Sequence, residues 1–577
     1  MTESAPELDV EKDAKNATAH WRARSSRVLH LLTPALLGAA VFFVVTGGRA
    51  LWPRNIAWLS KGDPATYFLS WHFFRNTPWS LPLGSNPRYG AELGSSIAFA
   101  DNVPLFAFPF KAIHHWLPNP FQYFGFWLLC CFVLQAYFAW LLVGLLTQRR
   151  VLRAVATALF LFAPPFLWRL QGHYSLASHG LVLAALYLCL GPRRLARGPA
   201  WPVLAFVVSL VHPYTTAMVL ALWFADWLSR VLFEGWSRAD GLQLIAVPAL
   251  VLLGVWQAGL FVGSGLRKEG FGDYRMNLAS LIDPSGWSYL LPDLPEGESD
   301  YEGFNFLGLG GLLLLLFALP ALKGAWRGLG ARRRYWPLAA CLLALALFAI
   351  TNRIGIAGHT FEIPLPPAVI DRANLLRASG RMFWPAYYAL SWVLLRTLFR
   401  RYSPRFAGGV LFVALMIQAL DTSAGWLPIR RELMVFGTSW ISPLNARFWA
   451  KVPAQYQVIR MIPPRNLGPG YEVFAYFAAT HGMESDAVYL ARVDQEQLAR
   501  ARWRAMQAVY YGKYAAGTLY IVDPRFEQPA RRSLNPKLDL LTWVDGFLVL
   551  APGWKCRPEC VTASRPSEDC SPRCPHQ

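Results

Sequence analysis

Gln122 to Thr147 reads QYFGFWLLCCFVLQAYFAWLLVGLLT, and Gln148-Arg149-Arg150-Val151-Leu152-Arg153 follows it. The run holds no Asp, Glu, Lys or Arg. As a helix rising about 1.5 Å per residue it is long enough for the roughly 30 Å hydrocarbon core of a bilayer. An uncharged run of this length closed by clustered arginines marks a membrane span whose end is held at the cytoplasmic surface.

The rest of the chain repeats the pattern. Apolar segments fall at roughly 28–47, 122–147, 152–168, 175–191, 200–212, 214–231, 242–263, 304–322, 336–351, 383–398 and 406–421, which predicts a mainly α, polytopic transmembrane bundle of about eleven helices. Residues 1–27 form a polar tail, and Val28 to Val45 is too long and too far from Met1 for a cleaved signal peptide. An uncleaved anchor with a cytoplasmic N-terminus is therefore expected. Arg149, Arg150 and Arg153; Arg193, Arg194 and Arg197; Lys323, Arg327 and Arg332 to Arg334; and Arg400, Arg401 and Arg405 then share the inner side, as the positive-inside rule requires. The connection near Glu234 to Asp240 is nearly neutral, so the helix number between 200 and 263 stays open.

Composition agrees with this class. The 577 residues are 54% hydrophobic and 16% charged, with a mean hydropathy of +0.29, outside the range of soluble globular domains. The net charge of +20 sits in short clusters between apolar runs. It reports topology, and no nucleic-acid partner is expected. Cys130, Cys131, Cys189 and Cys341 lie in apolar runs and read as small hydrophobes.

An odd number of spans places long loops at 48–121, 264–303 and 352–382 outside, together with everything from 422 onward. Loops on a rigid scaffold carry binding and chemistry, so the working site is expected there. From 422 to 555 the long apolar runs end. Gln495 to Tyr511 reads as an amphipathic helix, Thr518 to Asp523 as a buried strand, and Leu540 to Leu550 as a hairpin turning at Asp545-Gly546. This predicts a compact soluble α/β domain for acceptor recognition or partner contact. In the tail, 556–577, Cys556, Cys560, Cys570 and Cys574 are disulfide candidates in an oxidising compartment, with zinc as the other option for this spacing.

In the first outer loop, Lys61-Gly62-Asp63-Pro64-Ala65-Thr66-Tyr67-Phe68 leads into an aromatic stretch to Phe74, expected to lie along the membrane surface. A carboxylate desolvated at that level gains basicity and suits general-base work. Asp63 before Pro64 is also a good helix N-cap. Asp101, before the second span, reads as a second catalytic carboxylate or as a cap. Asn86, in a turn-rich stretch, and Glu302, in the acidic loop 264–303, are candidate substrate contacts, as are His179 and His212 at outer turns. A lone His serves equally as a hydrogen-bonded structural residue.

A long loop after the first helix with an acidic residue in a juxtamembrane helix, followed by a late soluble outer domain, resembles the family C (GT-C) membrane glycosyltransferases. The stretches Gly62 to Asp101, Tyr301-Glu302-Gly303-Phe304-Asn305-Phe306-Leu307-Gly308 and Arg377-Ala378-Ser379-Gly380-Arg381-Met382-Phe383-Trp384-Pro385 more closely resemble a bacterial polytopic membrane-protein family with no assigned activity. The first resemblance implies an inverting transferase in the bacterial inner membrane. It would move a sugar from a polyprenyl-phosphate donor to a glycan, lipid or protein acceptor on the extracytoplasmic face, with Asp63 as base. Asp63 lacks the paired acidic neighbour common in that class, so a divalent cation is possible without being required, and no metal ligands are assigned. For the donor phosphate, Arg372, Arg377, Arg381 and His173 are the candidates. Arg377 and Arg381 are spaced to share a helical face. The alternatives are a transporter or lipid-linked glycan flippase, and an O-antigen ligase or polymerase.

Overall fold

The computed structural model describes residues 32–263, 270–321 and 333–555. The tail 1–27, the inner-loop residues Lys323, Arg327 and Arg332, and the four tail cysteines lie outside the described residues. The chain is mainly helical, and a helix stands in each of the eleven apolar segments. Among the described residues five are long and apolar enough to cross a membrane: Phe124–Gly144, Pro213–Glu234, Arg238–Gln257, Arg333–Ile350 and Pro404–Asp421. A sixth arises if Arg150–Leu161 and Pro164–Gln171, bent by 43°, count as one broken span. Leu32–Thr46, Tyr174–Leu190, Ala200–Ser209 and Gly308–Ala321 are shorter apolar helices. About eleven full crossings are thus not shown: among the described residues five or six helices reach spanning length, with shorter apolar ones packed among them.

The neutral connection near Glu234 has a structural cause. Arg193 reaches Asp226 at 2.5 Å and Glu234 at 2.7 Å, and Arg230 pairs with Asp226 at 3.1 Å and with Asp240. Positive and negative residues there neutralise one another at the short-loop end of the bundle.

The long loops and the C-terminal domain meet at the opposite end. Gly62–Asn76 is helical, and Ala65 through Arg75 are all buried. The aromatic stretch therefore does not lie on the membrane surface: aromatic residues on every side make it a core helix. It is clamped by Trp71 donating to the Phe121 carbonyl at 2.9 Å, Phe68 stacking on Trp440, and the Thr66 hydroxyl 2.8 Å from that of Tyr471. The loop 352–382 forms a hairpin, β1 (Arg353–Ile356) with β2 (His359–Glu362), and a short helix Pro367–Ala373.

The C-terminal domain holds a sheet of β3 (Val458–Ile462), β4 (Glu484–Ser485), β5 (Thr518–Val522), β6 (Leu540–Val544) and β7 (Phe547–Ala551) in the order β4-β3-β5-β7-β6. The helix Gln495–Tyr511 and the fully buried β5 stand where the sequence predicts them. Asp545 and Gly546, both at positive φ, turn β6 into β7. Beyond β4 the sheet continues into the first long loop: Gly90 donates to the Ser485 carbonyl at 2.8 Å and Ser485 to the Arg88 carbonyl at 3.0 Å. Loop and domain are therefore joined by backbone.

Candidate functional site

His173 stands at the centre of three carboxylates. Its Nε2 is 3.7 Å from Asp63 Oδ2 and 3.7 Å from Glu302 Oε1, and its Nδ1 is 3.8 Å from Asp101 Oδ2 and 3.5 Å from the Tyr67 hydroxyl. Each group arrives by a local device. Pro164 and Pro165 end one helix and bend the next, carrying Arg169 and His173 to the loop-rich end. Asp63 is in the first turn of the Gly62–Asn76 helix. The cap position there is Lys61 with no side-chain cap, because Gly62 at φ 61° starts the helix early. Asp63 is thus freed from the capping role its neighbouring proline suggests.

The Asp101 side chain likewise caps no helix, although its backbone N–H closes the Ile97–Ala100 turn on the Ile97 carbonyl. The following helix, Pro104–Ala112, has Val103 at its cap position and no side-chain cap. Asp101 itself is left-handed at φ 51°, a strained conformation for a residue with a side chain. It is fixed by Asn102, which donates to the Tyr67 carbonyl at 2.7 Å.

Glu302 is brought in by a close backbone crossing. A Cβ on Gly303 would lie 2.1 Å from the Arg275 carbonyl oxygen, and one on Gly380 would lie 2.5 Å from the Gly303 Cα. Only glycines permit this approach, and it sets Glu302 against Arg381. Arg381 Nε donates to Glu302 Oε2 at 2.9 Å, its Nη2 to Oε1, and Arg169 Nη1 to Oε2 at 2.9 Å. The two-pronged bond geometry is the strong form of this pairing.

The electrostatics separate the acids. Burial works to raise Glu302, but Arg381, Arg169 and His173 outweigh it and hold it well below the carboxylate range. Burial also works to raise Asp101, yet His173, His212 and Arg381 bring it to about 2. For Asp63 the balance reverses: burial, with Asp101 and Glu302 nearby, raises it against the opposing pull of His173 and Arg381. Asp63 is also the most accessible of the three, its side chain 36% exposed against 17% for Asp101 and 5% for Glu302.

His212 lies behind Asp101, Nε2 to Oδ1 3.5 Å, at the cap of the Pro213–Glu234 helix. Its Nδ1 accepts from the Tyr214 backbone N–H at 3.2 Å, so the ring proton sits on Nε2 and faces Asp101. Burial pushes His212 down to about 4 against the opposing pull of Asp101.

The remaining candidates are placed differently. Asn86 is buried and donates to the Ser70 carbonyl at 3.0 Å. His179 is buried in the bundle, Nδ1 2.7 Å from the Tyr388 hydroxyl, with its ring against Trp384. Both are structural placements. Arg377 and Arg381 do not share a helical face, because Ser379–Phe383 is a 3-10 turn and the next helix starts only at Trp384. Arg381 is taken up by Glu302, Arg377 lies over the Tyr274 ring at 5.4 Å, and Arg372 is exposed. Among the described residues no group of three His, Cys, Asp or Glu is arranged to hold a metal ion.

The model of a domain of unknown function, DUF6311, matches residues 35–423, and that of the DUF6311 C-terminal domain matches 448–552. The chain belongs to the DUF6311 family. No curated protein matches it. Solved structures bear a distant likeness, among them two of an archaeal oligosaccharyltransferase. One is the archaeal oligosaccharyltransferase AglB from Archaeoglobus fulgidus in complex with an inhibitory peptide and a dolichol-phosphate, at 11% identity and TM-score 0.37, covering 87% of this chain and 70% of that one. The other is the Archaeoglobus fulgidus oligosaccharyltransferase in the apo form, at 11% identity and TM-score 0.35, covering 79% and 64%. Neither supports a residue correspondence.

In this DUF6311 protein the site recruits residues beyond those the sequence singles out. Arg169 sits inside an apolar run. Tyr489 and Arg492 come from the C-terminal domain: Tyr489 is within electrostatic reach of Asp63, Arg377, Tyr274 and Asp101, and Arg492 donates to the Leu375 carbonyl at 2.8 Å. The sequence signal for Arg169 is the Pro-Pro break five residues before it, which marks a span that ends early.

Proposed function

We propose that this protein is a membrane glycosyltransferase of the GT-C type. It transfers a sugar from a polyprenyl-phosphate donor to an acceptor hydroxyl on the extracytoplasmic face of a bacterial inner membrane. The observation that supports this reading is the separation of the three carboxylates around His173. Glu302 and Asp101 are held as anions, while the accessible Asp63 is pushed up. Titratable groups driven apart by their surroundings are the usual mark of an assigned base.

In this reading the Asp63 carboxylate accepts the acceptor's hydroxyl proton as that oxygen bonds to the anomeric carbon. The bond from that carbon to the phosphate oxygen breaks, and the polyprenyl phosphate departs with both electrons. Asp101 and Glu302 fix His173, which in turn orients Asp63. Arg377, with Arg372 at the surface, faces the leaving phosphate. Arg381 serves Glu302.

The test is the surface glycan profile of a strain lacking the gene, complemented with wild type or with Asp63→Asn at matched membrane levels. Wild type is expected to restore the missing glycan and Asp63→Asn to lower transfer about 10²- to 10⁴-fold. Full restoration by Asp63→Asn ends the base assignment. A deletion strain with an unaltered glycan profile ends the transferase reading itself.

A further inference from the structure

The segment Ala487–Asp494 of the C-terminal domain crosses the mouth of the site under tight backbone control. Tyr489 N–H faces the Tyr89 hydroxyl at 3.4 Å, Leu490 N–H donates to Asn466 Oδ1 at 2.8 Å, and Ala491 N–H donates to the Phe99 carbonyl at 2.8 Å. Phe99 lies two residues before Asp101. The next residue, Arg492, donates one Nη to the Leu375 carbonyl at 2.8 Å, two residues before Arg377. Arg492 therefore links the Asp101 loop to the Arg377 loop.

Among the described residues no carboxylate pairs with Arg492 or Arg377. Arg492 has the Leu375 carbonyl and Arg377 has the Tyr274 ring face at 5.4 Å. Both are half-buried. Arg492 bonds the backbone two residues before Arg377, within reach of its charge, and two like charges partly withdrawn from water are unfavourable unless an anion joins them. His212 is within electrostatic reach of Arg492, and the phenols of Tyr214, Tyr274 and Tyr489 surround the pair. They are neutral, and their hydroxyls are able to donate to an anion's oxygens. Arginine's planar fork suits phosphate oxygens two at a time.

We propose that Arg492 and Arg377 form an anion site that holds a phosphate group in the seam between the C-terminal domain and the loop 352–382. The C-terminal domain thereby contributes a ligand-binding residue in place of standing apart as an acceptor-recognition module. That this phosphate is the sugar donor's rests on the transferase reading; the anion site does not.

The experiment uses full-length protein in detergent micelles and measures binding without turnover, by calorimetry and thermal shift, with farnesyl phosphate and with inorganic phosphate. Farnesyl phosphate is expected to bind and stabilise. Arg492→Ala and Arg377→Ala are each expected to weaken binding at least tenfold, and Arg531→Ala, an exposed arginine of the same domain, to leave it unchanged. Arg492→Lys keeps the charge but not the fork and is expected to fall between; it also serves if the alanine variant does not fold. Equal binding of inorganic phosphate assigns the site to free phosphate, and preference for farnesyl phosphate assigns it to a lipid headgroup. Absence of binding by either probe, or wild-type affinity in Arg492→Ala, overturns the proposal. Intact phosphate binding with no sugar transfer sinks the transferase reading and leaves the site standing.

Discussion

Two ionic clusters occupy opposite ends of the bundle and are made of the same residue types, yet they are wired differently. At the short-loop end, Asp226 accepts from Arg193 at 2.5 Å, from Arg230 at 3.1 Å and from Trp201 at 2.9 Å; Arg230 also holds Asp240, and its Nη2 meets Gln243 at 2.8 Å. Every acid there has a cation in direct contact. Of the three carboxylates around His173 at the loop-rich end, only Glu302 is treated that way. Asp63 and Asp101 face imidazoles at 3.5 to 3.8 Å with no guanidinium in direct contact among the described residues, and Asp63 keeps a solvent-accessible side. A closed network locks helices together; an open one is positioned to accept a ligand.

Breaking the closed network therefore has the largest expected effect on folding. Arg230→Met leaves Asp240 buried without its cation and strips one partner from Asp226, a change that costs about 3–5 kcal/mol for a buried pair. Thermal unfolding in detergent checks it. A wild-type melting curve for Arg230→Met abolishes the distinction between the two clusters.

Within the open cluster the acids differ in their response to pH. Asp101 sits at about 2 in the folded protein against an ordinary value of 3.8. It adds stability that is fully present above its unfolded value and is lost as pH falls through its folded one. The span between them corresponds to about 2 kcal/mol. Unfolding measured from pH 5 down to pH 2 is expected to show wild type losing this advantage and Asp101→Asn lacking it throughout. Parallel curves for the two proteins detach Asp101 from the histidines.

The sequence discloses the two ends unequally. The short-loop end follows from hydropathy and arginine clusters, which are local signals. At the loop-rich end the same signals place Asp63, Asp101, His173, His212, Glu302 and Arg381 on one side of the bundle and go no further. Their convergence depends on contacts with no local trace: the Gly303–Gly380 crossing, the proline bend before Arg169, and the pairing of β4 with Arg88 to Gly90 that swings Arg492 over the site. The aromatic helix after Asp63 is misjudged as a surface element for the same reason. One of its partners is the C-terminal domain, some four hundred residues away in sequence.

The smallest expected effect on stability is the most informative about Asp63. Its carboxylate caps no helix, forms no short ion pair, and stands beside two other acids that resist its ionisation. Removing the charge therefore relieves repulsion while giving up a 3.7 Å approach to His173, and the two changes oppose each other. Asp63→Asn is expected to melt within about 0.5 kcal/mol of wild type at neutral pH, as substitutions away from paired or packed groups do. Because the folded value is raised, any change is toward greater stability as pH climbs above the ordinary carboxylate range, where wild type must carry the unfavourable charge and the variant does not. The measurement is a melting series from pH 4 to pH 8 on the purified variant. A residue kept in an unfavourable charge state with no structural return is one the fold holds for another purpose. If Asp63→Asn instead collapses the protein as Arg230→Met is expected to, Asp63 belongs with the locking residues and the contrast between the two ends fails at its most exposed point.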